Sequence, residues 1–216
     1  SFNRNGDNHV GWFWKANGSG SSNTDGSITS SVSANTTAGF SIVSWTGNSG
    51  TVGHGLGVKP QVIIIKSRQT SNNWVVVHHK LTGGMDSKVL VLNSTGAESD
   101  GGAGQSEPTS SVFTVGTGSD ANASSDDFIA YLWTEKQGFS KFGGFTGNNS
   151  SDGTFVHCGF RPAWVMIKRT DSSTNTDWFI FDNKRNTGNP NDDYLEANDS
   201  AAETTSGRNV IDFLSN

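Results

Sequence analysis

Short apolar runs separated by polar, glycine-rich turns form the main pattern of the chain. Their length of four to six residues and their Val, Ile and aromatic content favour strands over helices. The first three runs are almost continuously apolar, which is typical of strands covered on both faces. The pattern predicts an all-β domain with a β-sandwich or jelly-roll-like architecture. The six predicted strands are residues 40–45, 62–66, 74–78, 89–92, 112–115 and 128–133.

The same motifs recur later in the chain. The triplet TGN stands at 46–48 and again at 146–148, and the apolar run VIIIK at 62–66 aligns with WVMIK at 164–168. The offset between the two copies drifts from 99 to 105 residues, so the loops have gained length while the strands have not. Such self-similarity is the mark of a repeat architecture. We therefore predict a duplicated unit of about 100 residues.

The alignment also predicts the organisation of the chain. Residues 39–137 are the first complete repeat unit, and residues 138–216 are a second unit that lacks its closing strands. Residues 1–16 align with the strand that closes the first unit at a constant offset of 119, so we expect them to be the closing strand of a preceding repeat. The chain is then a piece of a longer one, and residues 10–14 could complete the second unit from the same chain or from a neighbour. Residues 17–38, rich in Ser, Gly, Asn and Thr, are predicted to be a linker.

Composition excludes several functional classes. The net charge of −5, from 15 basic and 20 acidic residues, provides no basic surface for nucleic acid. The longest apolar runs are strand-sized and fall short of the ~18 residues of a membrane span. A single cysteine, Cys158, excludes an intrachain disulfide framework. Stability must therefore come from the packing of the sheets.

Catalytic signatures are missing from the sequence. It contains no Gly-x-Ser-x-Gly elbow, no His-Glu-x-x-His helix and no phosphate-binding glycine loop. A polysaccharide depolymerase would need paired carboxylates across a groove, and no such pair recurs in the two copies. We therefore predict a protein that is not an enzyme, with no catalytic residue.

Two acidic turns raise the question of calcium. Residues 3–8 and 119–127 are rich in oxygen ligands, and Asp120, Asn122 and Asp126 are the candidate ligands in the second turn. Neither turn has the ordered ligand spacing that ends in a bidentate Glu. The alternative is a turn stabilised by Asx hydrogen bonds, so no cofactor is expected and calcium remains the one candidate ion.

Aromatic residues and histidines at matching positions of the two copies are candidate ligand contacts. Trp74 and Trp178 follow polar loops and could stack on a sugar ring, and Asp177 directly precedes the second of them. The alternative for both tryptophans is packing in the core. His54 and His157 precede equivalent turns, where they could contact a ligand or simply form the turn.

The long motifs carry a resemblance to a known family. The segments "HVGWFWKANG", "GFSIVSWTGNSGTVGHGLGVKPQVIIIK", "FIAYLWTEKQGFSKFGGFTGNNSSDGTFVHCGFRPAWVMIK" and "VIDFLSN" are similar to the repeated domain of tail-fibre and virion structural proteins from marine bacteriophages, including phages of cyanobacteria. The likeness extends from about residue 6 to residue 216. It carries over no catalytic or binding residue.

The resemblance implies a structural or adhesive role on a virus particle. The expected partners are other copies of the chain in a homo-oligomer such as a trimer, other virion proteins, and a glycan or protein on the host cell surface. The expected location is the virion, outside the host cell. Repeated rigid β units extend a fibre without a new fold and can present weak contacts many times. The alternative function is a secreted, lectin-like carbohydrate-binding module.

Overall fold

The computed structural model describes residues 5–6, 8–101, 106–116, 118–174, 176–205, 207 and 210–215. Within them the fold is all-β and sandwich-like, which confirms the predicted fold class. The described part of the chain has no helix long and apolar enough to cross a membrane. The strands are β1 Ser21–Asn23, β2 Ser30–Asn35, β3 Phe40–Thr46, β4 Gly50–Gly53, β5 Val62–Ser67, β6 Val75–His78, β7 Lys88–Val91, β8 Ser99–Asp100, β9 Val112–Val115, β10 Asp127–Trp133, β11 Trp164–Ile167, β12 Phe179–Asp182 and β13 Leu195–Glu196. A 3-10 helix spans Gly84–Asp86 and a short helix, α1, spans Ser119–Asn122.

Eight strands form one antiparallel sheet, which we call the large sheet, in the order β1-β2-β3-β10-β5-β6-β7-β8. β10 lies in its interior and pairs with β3 on one side and β5 on the other. All six strands predicted from the sequence form, and all except β9 belong to this sheet. Because side chains alternate along a strand, Phe128, Ala130 and Leu132 of β10 share one face, where each is 0% exposed.

One face of the large sheet packs against β4 and β9, which pair with each other. Trp45 of β3 lies in this layer, with its ring stacked on Phe128 at 5.6 Å between ring centroids. The same ring meets Phe113 of β9 edge-on, also at 5.6 Å. Aromatic contacts of this kind add about 0.5–1.5 kcal/mol beyond simple burial. The main hydrophobic core therefore lies between the large sheet and this strand pair.

The opposite face of the large sheet is covered at β5, β6 and β7 by the second half of the chain. Val62 and Ile64 of β5 and Val76 of β6 pack with Trp178, which comes directly before β12. The indole N–H of Trp178 donates a hydrogen bond to the carbonyl of Val91 at 3.0 Å. β5 and β6 are thus covered on both faces, as predicted, whereas alternate residues of β3 are only half-buried.

Residues 17–38 correct the prediction of a linker, because β1 and β2 form within them and β2 pairs with β3. The buried hydroxyl of Ser30 donates to the carbonyl of Gly53 at 3.1 Å, and that of Ser33 donates to Gly18 at 2.8 Å. The backbone ladder itself needs no apolar side chain, and hydroxyls that find carbonyl partners can be buried at little cost. A segment poor in apolar residues therefore adds two strands to the sheet.

The second half contains a smaller sheet with the order β11-β12-β13. Its pairing has the same register as that of β5, β6 and β7 when residues 164–182 are aligned with residues 62–78 as in the sequence analysis. Val62 lies opposite His78, and the aligned residue Trp164 lies opposite Asp182. The predicted strands at 164–168 and at the aligned position of β6 are therefore present.

A side-chain contact also recurs in the two hairpins. The backbone N–H of Trp74 donates to Asn93 Oδ1 at 2.9 Å, and that of Trp178 donates to Asn198 Oδ1 at 2.7 Å. In both places an Asn that follows β7 or β13 accepts a hydrogen bond from the Trp that precedes β6 or β12, and this bond closes the loop. The two hairpins therefore match in backbone pairing and in this polar contact.

Other parts of the second half differ from the first. Residues 139–145, which align with β3, form no strand, and Phe139 and Phe145 are 63% and 54% exposed. Without a neighbouring strand, this stretch has no ladder in which to pair.

The residues that precede β1 are also irregular where they are described. We call residues 8–16 the opening segment, and no strand forms in it. Residues 1–4 and 7, which belong to the predicted closing strand and acidic turn, lie outside the described residues. Residues 208–209 and 216, which align with the region of β9, also lie outside them. The described part of the opening segment therefore differs in conformation from β10, with which it aligns.

Candidate functional site

An open cleft of about 490 Å³ lies at the end of the large sheet where β3 ends and β10 begins. Three separate parts of the chain meet there: the loop before β2, the turn between β3 and β4, and the loop before β10. We call it the hydroxyl cleft, because Ser and Thr side chains dominate its lining. The lining residues are Ser27, Ile28, Thr29, Thr46, Gly47, Asn48, Ser124 and Ser125.

The buried side chain of Asn122 holds the turn between β3 and β4 in place. Its Oδ1 accepts hydrogen bonds from Trp45 Nε1 at 3.0 Å and from the backbone N–H of Asn48 at 3.3 Å. Its Nδ2 donates to the carbonyls of Asn48 at 2.7 Å and Gly116 at 2.5 Å. Asn122 is 1% exposed and uses both ends of its amide. It therefore fixes the position of Asn48 in the cleft.

Gly47 brings the turn between β3 and β4 against the loop before β10. Its N–H donates to the carbonyl of Asp126 at 2.7 Å, and its own carbonyl accepts from the N–H of Ser125 at 3.0 Å. A Cβ at this position would lie 1.9 Å from the carbonyl oxygen of Ala123. Only glycine permits so close an approach of two backbones, so this residue determines the shape of the cleft.

The wall formed by the loop before β2 is held by a reciprocal pair of hydrogen bonds. The N–H of Ser27 donates to Thr51 Oγ1 at 2.9 Å, and the N–H of Thr51 donates to Ser27 Oγ at 2.9 Å. The N–H of Ile28 donates to the carbonyl of Thr51, also at 2.9 Å. The loop is therefore tied to β4, and the cleft is largely preformed.

The lining of the hydroxyl cleft defines the ligands that it suits. Thr46, Asn48 and Ser124 are exposed and offer two hydroxyls and one amide to solvent. None of the described residues that line the cleft is ionisable; at its edge, Thr46 Oγ1 donates to Asp127 Oδ1 at 3.2 Å. Groups of this kind exchange hydrogen bonds with a neutral polyhydroxylated molecule.

The two tryptophans proposed as sugar platforms have different surroundings. Trp178 is only 5% exposed and packs in the interface between the large and small sheets, so its ring presents no face to a ligand. This corrects the platform hypothesis for Trp178 in favour of core packing. Trp74 is half-buried and packs against the same apolar cluster. Burial of a large ring between two sheets satisfies the hydrophobic effect better than exposure in a groove.

The other candidate contacts are not gathered into one site by the contacts that the structure gives them. Asp177 accepts a hydrogen bond from Asn198 Nδ2 at 2.7 Å. His54 is 0% exposed, its Nδ1 accepts from the N–H of Leu56 at 3.2 Å, and burial lowers its pKa. His54 therefore forms its turn and is corrected as a ligand contact, whereas His157 is exposed on an irregular stretch.

The three calcium candidates each have protein partners. Asp120 accepts from Asn73 Nδ2 at 2.9 Å, and Asn122 is occupied as described above. Asp126 is half-buried, and its backbone carbonyl binds Gly47. Over the part of the chain that the structure describes, no group of three or more His, Cys, Asp or Glu residues is placed to hold a metal ion.

His78 gives the fold a dependence on pH. Burial first, and then the nearby His79 and Lys80, lower its pKa from the ordinary 6.5 to about 4, against a smaller opposing effect of Glu135. Its Nδ1 accepts a hydrogen bond from the N–H of Lys80 at 3.1 Å, as a neutral ring can. Between pH 6.5 and 4 the unfolded chain binds a proton that the folded chain excludes. The stability that this residue provides is therefore complete above pH 6.5 and is lost as the pH falls through this window.

We expect the urea midpoint of the wild type to fall between pH 7 and pH 4.5, and the fall to be smaller in His78→Gln. The measurement is urea unfolding, followed by tryptophan fluorescence, at several pH values. Parallel pH profiles for the wild type and His78→Gln would contradict the assignment.

The hydroxyl cleft was not predicted from the sequence, although one signal of it was present there. The repeated triplet TGN at 46–48 supplies three of its lining residues. The second triplet, at 146–148, lies in an exposed stretch, where Asn148 Nδ2 donates to the carbonyl of Asp152 at 2.8 Å. The first triplet lines a cleft because the buried amide of Asn122 and the loop before β10 bind it.

Comparison with other proteins places the chain in a family without assigning it an activity. No curated protein and no solved structure matches it. A family model matches residues 1–216 of the chain. The chain belongs to the family described as a domain of unknown function, DUF7483.

Proposed function

We propose that this domain is a non-enzymatic structural and attachment part of a bacteriophage particle, of the tail-fibre or spike type, and that it binds a neutral glycan in the hydroxyl cleft. The observation that carries the binding function is the preformed cleft with its exposed hydroxyls and amide and its lack of ionisable lining residues over the described chain. The virion part of the proposal rests on the resemblance of the long sequence motifs. No cofactor takes part.

Weak individual binding suits this function. An open cleft buries little of its ligand, and each neutral hydrogen bond contributes only about 0.5–1.5 kcal/mol. Several copies of the domain on one particle would bind a repetitive surface polysaccharide with avidity far above that of one copy. The proposed glycan is a neutral segment of such a polysaccharide on the host cell surface.

Removing the cleft hydroxyls should weaken glycan binding. For the double variant Thr46→Val, Ser124→Ala we expect the dissociation constant for a bound neutral oligosaccharide to rise by about tenfold, because two neutral hydrogen bonds are lost. The ligand is first selected on an array of bacterial surface glycans, and the affinity is then measured by titration calorimetry. The change leaves the core intact because both side chains are exposed.

Thr174→Val is the matched control, since this exposed residue lies outside the cleft lining. It should bind like the wild type. Equal affinity of the double variant and the control would contradict the cleft as the binding site. No binding to any neutral glycan on the array would contradict the glycan part of the proposal.

A secreted carbohydrate-binding module is the second candidate, because the same cleft would serve it. The two differ in where the protein is found. Immunogold electron microscopy on particles from the source culture, with serum raised against this chain, should place gold on tail fibres or tail tips. Gold on the capsid shell would keep a virion role but remove attachment. Unlabelled particles with the antigen free in the medium would favour the secreted module.

A further inference from the structure

The outer edge of β11 has no strand beside it in the described structure. β11 pairs with β12 on one side and ends the small sheet on the other. The N–H of Asn183 donates to the carbonyl of Ala163 at 3.0 Å, and hydrogen-bonded pairs alternate along an antiparallel ladder. Val165 and Ile167 therefore bond to β12, whereas Trp164 and Met166 direct their backbone N–H and C=O groups to the open edge. Such an edge is a template for another strand.

The aligned edge in the first half is occupied. β5 aligns with β11, and β10 covers the edge of β5 that corresponds to the open edge of β11. In that pairing Trp133 lies opposite Val62 and Leu132 lies opposite Ile63. The small sheet therefore matches the β5-β6-β7 part of the large sheet without the interior strand β10.

The opening segment resembles that interior strand in its pattern of apolar and aromatic residues. Residues 10–14, VGWFW, align with residues 129–133, IAYLW, without a gap. Carried over from β10 and β5, the register puts Trp14 opposite Trp164, Phe13 opposite Val165 and Trp12 opposite Met166. Phe13 is 94% exposed, and the segment forms no strand in the described structure. A strand-like sequence and an open strand edge are thus present in the same chain without being paired.

The side chains around the open edge point to an occupant. Trp164 Nε1 is buried without a hydrogen-bond partner in the described structure, which is costly for an indole N–H. The rings of Trp12 and Trp14 meet the Trp164 ring edge-on at 6.4 and 5.6 Å, and the Arg185 guanidinium lies 5.9 Å from the Trp12 ring. Aromatic rings of the opening segment therefore already fit the surface at the start of β11.

We propose that the open edge of β11 accepts residues 10–14 of a second copy of this chain as an added antiparallel strand. Within one chain, Asn35 Nδ2 donates to the carbonyl of Lys15 at 3.1 Å and the N–H of Asn17 donates to Ser33 Oγ at 2.9 Å. These bonds hold the end of the opening segment on β2. The rings of Trp12 and Trp14 then contact Trp164, but the backbone of the segment does not pair with β11. In a second copy the same bonds hold the segment on that copy's own β2, and they do not restrict where the segment lies relative to the β11 edge of the first copy.

The proposed association is head-to-tail. The donor segment and the acceptor edge are different surfaces of the chain, so each copy can accept one strand and donate another, and the contact extends into a linear assembly. It does not depend on the hydroxyl cleft, whose residues are not involved. Loss of glycan binding and loss of association are therefore separate results.

Two proline variants test the association from its two sides. Met166→Pro removes an N–H that faces the open edge, a position where proline is tolerated because no ladder bond to β12 is lost. Trp12→Pro blocks the donor and lies in a segment without regular structure, so it leaves the sheets folded. In analytical ultracentrifugation, we expect the wild type to form larger species as its concentration rises and each variant alone to remain monomeric. Far-UV circular dichroism checks that both variants are folded.

A mixture of the two variants gives the sharper result. Met166→Pro retains an intact donor and Trp12→Pro retains an intact acceptor, so the mixture should form a 1:1 dimer and nothing larger. A wild type that remains monomeric at all concentrations would overturn the proposal. So would self-association of Met166→Pro at the wild-type concentration, or a mixture that stays monomeric.

Cysteine cross-linking identifies the donor chain. In a Cys158→Ser background, Phe13→Cys and Val165→Cys would be placed opposite each other in the proposed register, within disulfide reach. Mild oxidation should give disulfides between chains, visible as a ladder of dimers and larger species in non-reducing gels. A disulfide formed only within monomers would overturn the proposal, because each chain would then use its own opening segment.

Discussion

Asn122→Ala is expected to lower the free energy of unfolding by about 4 kcal/mol, because it leaves several buried polar groups without partners. The indole N–H of Trp45 and the carbonyl of Gly116 both lose their bond to this amide, and both residues are buried. Asn48 loses two further bonds. Urea unfolding at neutral pH, followed by circular dichroism, measures the change.

Asn148→Ala is the matched control for this variant. Asn148 is exposed, and within the described residues its side chain makes local turn contacts with Asp152 and Ser150. We expect it to change the free energy of unfolding by less than about 0.5 kcal/mol. A small effect of both variants would mean that water or a shifted turn replaces the Asn122 amide. Its role in shaping the hydroxyl cleft would then be lost as well.

Phe128→Ala should destabilise the fold by about 4 kcal/mol, since it removes a fully buried ring from the interior strand of the large sheet. Phe128 is 0% exposed and stacks on Trp45. β10 is held by β3 and β5, so the surrounding residues cannot collapse far into the cavity. The thermal midpoint, measured by differential scanning calorimetry, should fall together with the urea midpoint.

Phe139→Ala is the matched control, because the same ring is removed from a residue that is 63% exposed. Its effect on the unfolding midpoints should be close to zero. A loss for Phe128→Ala that is no larger than that of the control would contradict the position of β10 in the interior of the large sheet. It would also remove the basis for regarding the uncovered edge of β11 as incomplete.

Glycan binding in the hydroxyl cleft and strand addition at the edge of β11 require opposite properties of the chain. The hydroxyl cleft requires loops that are fixed, and the amide of Asn122 and the close approach at Gly47 fix them. Strand addition requires a segment that is not already paired in a sheet, and the exposed Phe13 lies in such a segment. Together they would make a fibre-like assembly that displays one cleft per copy. This arrangement suits attachment to a repetitive surface.

Strand positions were predictable from the sequence because their signal is local. Continuous apolar runs of four to six residues, bounded by turns, marked β3, β5, β6, β7, β9 and β10 correctly. The alignment of residues 164–182 with residues 62–78 also placed β11 and β12. β1 and β2 were not predicted, because a strand that is hydrogen-bonded to a neighbouring strand needs few apolar residues of its own. The hydroxyls of Ser30 and Ser33 donate to backbone carbonyls and can therefore be buried.

The candidate site was less predictable, because its residues have functions that depend on distant partners. The sequence offered Trp178 as a sugar platform, but contact with β5, β6 and β7 makes it part of a core. It offered Asn122 as a calcium ligand, but the hydrogen bond from Trp45, 77 residues away in the chain, gives it a structural role.

The sequence alone determined an all-β chain and the positions of most of its strands, since alternation and turn chemistry act over a few residues. Only the tertiary structure decided which polar and aromatic side chains are buried and which form the cleft, since burial depends on parts of the chain that meet only after folding.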